Sequence, residues 1–208
     1  MDLIEKQRIK DMLIYEQELG NLGYLHIAGV DEAGRGPLCG PVVATAVILP
    51  VNLYIEGIND SKKLSEKKRE KIYEELVNNK DVSFAVGLSD VDVIEKVNIL
   101  NATKLAMIQA INNLDIKPDY VLIDGNQNID IDIQSQTLVS GDSKSASIAA
   151  ASIIAKVTRD RMMYEFDEKY PEYSFGKHKG YGTKVHIEAI KKYGLCSIHR
   201  PSFCKHFI

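Results

Sequence analysis

The chain has 208 residues, a formal net charge of −3, 45% hydrophobic and 26% charged residues. That is enough for one sizeable core, and it excludes a disordered or low-complexity protein. The longest apolar run, Ala146 to Ala155, is too short to span a bilayer, and the three scattered cysteines (Cys39, Cys196, Cys204) form no CxxC pair. No membrane contact, disulfide framework or structural zinc is therefore expected, and a reducing, cytoplasmic setting is.

Taken in chain order, MDLIEKQRIKDML is charged and helix-like, unlike a signal peptide. His26–Val30 and Val42–Leu49 are β-branched runs on either side of a glycine-rich turn, predicting neighbouring antiparallel strands. Leu64–Asn78 predicts a helix with Ser65 as its N-cap, and Val82–Leu88 a third strand. Ser89-Asp90 opens a longer helix traced by Leu100, Met107, Ile111 and Leu114. Tyr120–Ile123 and Thr137–Val139 read as short strands. Ser143 to Tyr170, free of Gly and Pro, reads as one long helix. Thr183–Tyr193 is a last helix, stopped by Gly194. Strands first, then strands alternating with helices, predict an α/β fold with a mixed central sheet flanked by helices.

Four acids stand where this pattern ends its elements. Asp31 and Glu32 follow an apolar strand, so both reach one site only if the strand twists, bulges or stops there. Asp124 closes YVLID, where it is either a fixed functional carboxylate or a simple Asp-Gly turn. Asp142 precedes the long helix, as an N-cap or as a second carboxylate facing Asp124. With no Cys/His set beside them, four such acids point to a hard cation, Mg²⁺ or Mn²⁺. No Walker A sequence is present. The flanking segments suit an anionic substrate. Gly34-Arg35-Gly36 allows close backbone approach, although Arg35 is also placed to pair with Glu32. Asn59, Ser61 and Lys62 stand before a helix start, and Tyr181 lies between glycines in KHKGYGT. His178 is a possible proton donor or metal-site neighbour, His199 and Arg200 are candidates to hold the acid cluster, and Asp160 reads as an ion-pair partner of Lys156. Residues 156–208 carry 11 Lys/Arg against 6 Asp/Glu, so the basic charge gathers in the C-terminal part.

The segments AGVDEAGRGPLCGPVV, INDSKKLS, NILNATKLAM, PDYVLIDGN, GDSKSASIAAASIIAKVTRDRMM, FGKHKGYGT and IHRPSF run in order over nearly the whole chain. Together they closely resemble the bacterial ribonuclease HII family, the type 2 ribonucleases H. The resemblance implies a ribonuclease H-like fold with a five-stranded mixed sheet. It implies one catalytic domain over residues 1–208, with a small helical part from about residue 183 to 208. It implies an endonuclease that hydrolyses the RNA strand of RNA–DNA hybrids and nicks duplex DNA on the 5′ side of embedded ribonucleotides, leaving 3′-hydroxyl and 5′-phosphate ends. Asp31, Glu32, Asp124 and Asp142 fall where the family keeps its catalytic, metal-binding acids, serving two Mg²⁺ or Mn²⁺ ions with substrate bound. Gly34, Arg35 and Gly36 match the loop that probes the ribose 2′-hydroxyl. Tyr181 matches the tyrosine that packs on the next sugar, and Asn59, Ser61 and Lys62 match residues that hold a DNA-strand phosphate. The five residues after Phe203 leave little room for the helical extension of some relatives. A monomer is expected, since no long apolar stripe demands a dimer. The rivals are a junction resolvase, which would cut DNA without ribose, and a non-catalytic hybrid-binding protein, which would bind without metal.

Overall fold

The structure is a computed structural model that describes residues 2–50 and 52–208. Helices α1 (Leu3–Met12) and α2 (Ile14–Asn21) lead into strands β1 (Ile27–Ala33) and β2 (Val42–Ile48). A 3₁₀ turn at Ser61–Lys63 precedes α3 (Glu66–Val77), β3 (Ser83–Ser89) and α4 (Val91–Asn112). Then come β4 (Tyr120–Asp124), β5 (Gln134–Leu138), a 3₁₀ turn at Gly141–Ser143 and the long helix α5 (Ala146–Lys169). After a 3₁₀ turn at Pro171–Tyr173, three short helices follow: α6 (Phe175–His178), α7 (Lys184–Tyr193) and α8 (Pro201–Cys204).

The five strands lie in the order β3-β2-β1-β4-β5. β3, β2 and β1 are antiparallel neighbours, whereas β4 and β5 run parallel to β1. The expected mixed α/β sheet is therefore present. Its two faces bury different helices. Ala28, Val30, Ala44 and Ala46 pack with Ala102, Ala106 and Ala110 of α4. On the other side Val47 joins Ala150, Ile153 and Ile154 of α5, together with Ile72 and Leu76 of α3. Small residues let α5 lie close: a Cβ on Gly29 would come within 2.2 Å of the Ser147 carbonyl carbon, so only glycine fits there.

Some boundaries differ from the sequence reading. β1 continues past Val30 to Ala33, because Asp31, Glu32 and Ala33 keep their ladder partners Thr45, Ala44 and Val43 on β2. The long helix begins at Ala146, not Ser143, and Ser145 is its N-cap, accepting a hydrogen bond from Ile148 N–H. β5 starts three residues earlier than expected. Asp90 and Ser65 cap α4 and α3, each accepting from the backbone N–H three residues on. α4 is broken at Asn98, whose φ is 69°.

Candidate metal and nucleic-acid site

The period-2 alternation of β1 decides where its two acids go. Asp31 shares a face with Gly29, toward α5; Glu32 shares the opposite face with Ala28 and Val30, toward α4. In β4 the same alternation puts Asp124 with Leu122, which packs on Ile148 of α5. Asp142 comes from the 3₁₀ turn ahead of α5, and so is not the cap of that helix. Carboxylate oxygens of Asp31, Asp124 and Asp142 consequently lie within 4.8 Å of one another. Glu32 stands outside this trio. It lines a crevice with Arg35, Thr103, Lys104, Asn126 and Asp124, so Asp124, at its strand's end, borders both groups. The strand neither bulges nor stops between the two acids, and its unbroken pairing to β2 separates them.

Each acid is held by the fold. Asp31 accepts the Glu32 N–H at 2.7 Å and a hydrogen bond from Ser152 of α5, whose Oγ lies 2.9 Å from Ser61 Oγ. Asp124 accepts the Gly141 N–H at 2.7 Å. Burial, then the neighbouring Glu32 and Asp124 charges, push the Asp31 carboxyl well above the usual carboxylate range. Burial and Asp124 also raise Asp142. For Glu32, burial outweighs the opposing Arg35, whose guanidinium lies 3.4 Å from the carboxylate. One cation looks into the trio: Lys62 Nζ is 3.9 Å from Asp142 Oδ2, with its side chain 77% exposed. Burial disfavours its charge, but Asp31, Asp142, Asp60 and Asp124 more than compensate and hold its ammonium above the ordinary value. Crowded, buried, like-charged oxygens form a donor set that suits a hard divalent cation.

The remaining candidates surround this trio. Asn59 accepts the Asp60 N–H, and Asp60 in turn caps the 3₁₀ turn that carries Ser61 and Lys62. Ser61 is buried, with its hydroxyl turned to Ser152, while Lys62 is largely exposed with its Nζ toward Asp142. Gly34 takes a φ of 103° and leaves no room for a side chain, since a Cβ would meet Arg159 Nε at 2.2 Å. A Cβ on Gly36 would stand 3.6 Å from the ring of Tyr181, which is half exposed. Lys156 pairs with Asp160 at 2.6 Å, as expected.

Three residues differ from their expected placement. Arg200 does not reach the acids; all of its donors go to main-chain carbonyls of the Gly34–Gly40 segment. His199 sits in a buried cluster with Cys39 and His186. There His199 Nδ1 accepts the Cys196 N–H at 2.9 Å, which leaves its Nε2–H to donate to His186 Nε2 at 3.1 Å. His186 Nδ1 then donates to the Tyr181 carbonyl at 2.9 Å. His178 stacks on His186, donates to the Tyr173 carbonyl and accepts the Gly180 N–H. Each ring is neutral with a settled tautomer, and the cluster braces the loop that bears Tyr181. Sequence reasoning missed Ser152 and Arg159, whose partners come from distant segments.

Comparison with known proteins shows the family. A model of the ribonuclease HII family matches residues 28–206. The chain is 58% identical over 204 residues to the ribonuclease HII of Acetivibrio thermocellus, covering 98% of this chain and 79% of that one. It is 52% identical to the ribonuclease HII of Clostridioides difficile, covering 98% and 80%. Among solved structures, the ribonuclease H2 of Pyrococcus horikoshii superposes with a TM-score of 0.72 at 30% identity, covering 88% of this chain and 97% of that one. The ribonuclease HII of Archaeoglobus fulgidus, solved in complex with PCNA, also gives 0.72, at 28% identity, covering 85% and 94%. With nearly its whole length matched, the chain belongs to the ribonuclease HII family and is a nuclease.

Proposed function

We propose that this nuclease hydrolyses the RNA strand of RNA–DNA hybrids and nicks duplex DNA 5′ of embedded ribonucleotides, leaving 3′-hydroxyl and 5′-phosphate ends, with two Mg²⁺ or Mn²⁺ ions when substrate is bound. The observation that carries this reading is the meeting of three carboxylates from three separate elements within 4.8 Å. Asp31, Asp124 and Asp142 would hold the ions from the α5 side of the sheet, and Glu32 would complete the set from across Asp124. When bound, such ions lower the pKa of an attacking water and stabilise the leaving 3′-oxygen.

The chain's own residues supply recognition. The N–H groups around Gly34, Arg35 and Gly36 would meet the ribose 2′-hydroxyl, the group that distinguishes RNA from DNA at a single position. Tyr181 would pack on the neighbouring sugar, and Asn59, Ser61 and Lys62 would hold a phosphate of the DNA strand. The protein is read as one catalytic unit over residues 1–208, with 183–208 as its C-terminal helical part, acting as a cytoplasmic monomer. The free thiols of Cys39, Cys196 and Cys204 support a reducing compartment. No helix among the described residues is long and apolar enough to cross a membrane.

The test is a labelled DNA duplex carrying one ribonucleotide, with and without Mg²⁺. One metal-dependent nick at that position is expected, lost in Asp124→Asn with duplex binding retained. Equal cutting of an all-DNA duplex would refute the reading and favour a resolvase-like nuclease.

A further inference from the structure

Arg200 and Arg159 are each about 1% exposed or less, and among the described residues neither is in an ion pair. A buried charge without a counter-charge is costly unless its donors are all satisfied. Here they are satisfied by backbone. Arg200 Nε donates to Gly40 O at 3.0 Å, Nη1 to Arg35 O at 3.1 Å and Pro37 O at 2.8 Å, and Nη2 to Gly34 O and Gly40 O, each at 2.7 Å. All five guanidinium N–H groups are used, and the loop wraps around them.

A planar trans peptide points its N–H opposite to its C=O. Turning the carbonyls of Gly34 and Arg35 inward therefore turns the N–H groups of Arg35 and Gly36 outward, away from the guanidinium. The next inward carbonyl, Pro37 O, shows the same effect: the N–H of its peptide, on Leu38, points out and donates to Gly180 O at 2.8 Å. The Arg35 and Gly36 N–H groups have no partner among the described residues, and Gly36 stands beside Tyr181. Arg159 fixes the other side of this gap. It donates to Cys39 O, Pro41 O and Lys179 O, each at 3.0 Å, tying the Tyr181 loop to the same segment.

We infer that Arg200, with Arg159 beside it, is a positioning residue for sugar selectivity, aiming the Arg35 and Gly36 N–H groups at a ribose hydroxyl held against Tyr181. The inference rests on the reading of that loop and Tyr181 as the ribose-recognising pair. Lysine, with three donors, cannot span the four carbonyls.

The experiment uses Arg200→Lys in the Asp124→Asn background, in which cutting is expected to be lost. Affinity is measured for a duplex with one ribonucleotide and for the same duplex in all-DNA form, alongside melting, and Mn²⁺ is titrated into Arg200→Lys with Asp124 intact. Loss of the ribose preference by about tenfold or more is expected, because a shift near 1 Å at a positioned group is worth factors of that order or larger. All-DNA affinity and Mn²⁺ affinity should stay within about twofold. A retained ribose preference overturns the inference, as does an equal loss for both duplexes. If Asp124→Asn with Arg200 intact shows no ribose preference, the loop reading itself fails and this inference falls with it. Should Arg200→Lys not fold, the Arg200 Nε–H resonance of the Asp124→Asn protein decides. It should shift with the ribonucleotide duplex and not with all-DNA, and an unmoved signal with both overturns the inference.

Discussion

The backbone N–H of Gly141 donates to Oδ1 of Asp124 at 2.7 Å, joining the end of β4 to the turn that carries Asp142. That bond holds two of the three clustered carboxylates in register from opposite sides of one loop. A Cβ on Gly141 would sit 2.7 Å from Ile148 Cδ1 and 3.2 Å from Asp124 Oδ1. Gly141→Ala should therefore push the turn off Asp124, costing about 1–3 kcal/mol of stability and weakening Mn²⁺ binding measured by calorimetric titration. Wild-type affinity in this variant would show that the bond does not order the site.

Asp31 offers a test of the cluster's electrostatics. Its folded pKa is raised by burial and by its acidic neighbours. Stability linked to it is thus present at low pH and lost as pH rises through the raised value. At pH 8 without divalent cation, Asp31→Asn should melt higher than the unaltered chain, by roughly 2–4 °C for each kcal/mol relieved. Adding Mn²⁺ should reverse the order, stabilising the unaltered chain and leaving the variant nearly unmoved. A variant that melts lower without metal would contradict the repulsion described here.

Lys62 brings its ammonium within 3.9 Å of Asp142, and its side chain is largely exposed. Lys62→Met should raise KM for the duplex with a smaller change in kcat. It should also reduce the salt dependence of binding by about one counterion. Binding isotherms at several salt concentrations check this, and an unchanged salt slope would remove Lys62 from the phosphate contacts.

His186 and His199 are pushed down from an ordinary 6.5 to about 4, mainly by burial. Between those values the unfolded chain takes up protons that the folded histidines refuse. Stability should fall as pH drops from 6.5 toward 4, with no pH dependence from these groups above 6.5. His199→Gln should flatten that acid slope in thermal melts. Parallel slopes for the two proteins would place the acid sensitivity elsewhere.

The strands, the long helices and the positions of the acids were legible because each depends on local patterning: apolar runs, capping residues, and carboxylates at element ends. Asp124 and Asp142 read correctly as bordering the sheet's end. The split between Asp31 and Glu32 did not, because it depends on β2 holding β1 in ladder past two charges that look, in sequence, like a strand's end. The start of α5 was misjudged for a related reason: Asp142 and Ser145 are both good caps, and only the 3₁₀ turn between them decides which is used. Arg159 and Arg200 were opaque for a deeper reason. Their partners are main-chain carbonyls up to 166 residues away, and carbonyls carry no side-chain signature.

The acid trio also bears on how the protein is made. Its members come from β1, the end of β4 and the turn before α5, and β4 reaches β1 only by a parallel crossover. A nascent chain that has emerged as far as α4 holds Asp31 without Asp124 or Asp142, and one that has passed Asp142 still lacks Arg200. The three carboxylates therefore come together only after Asp142 has emerged, and shorter ribosome-bound fragments are expected to bind no Mn²⁺ through them.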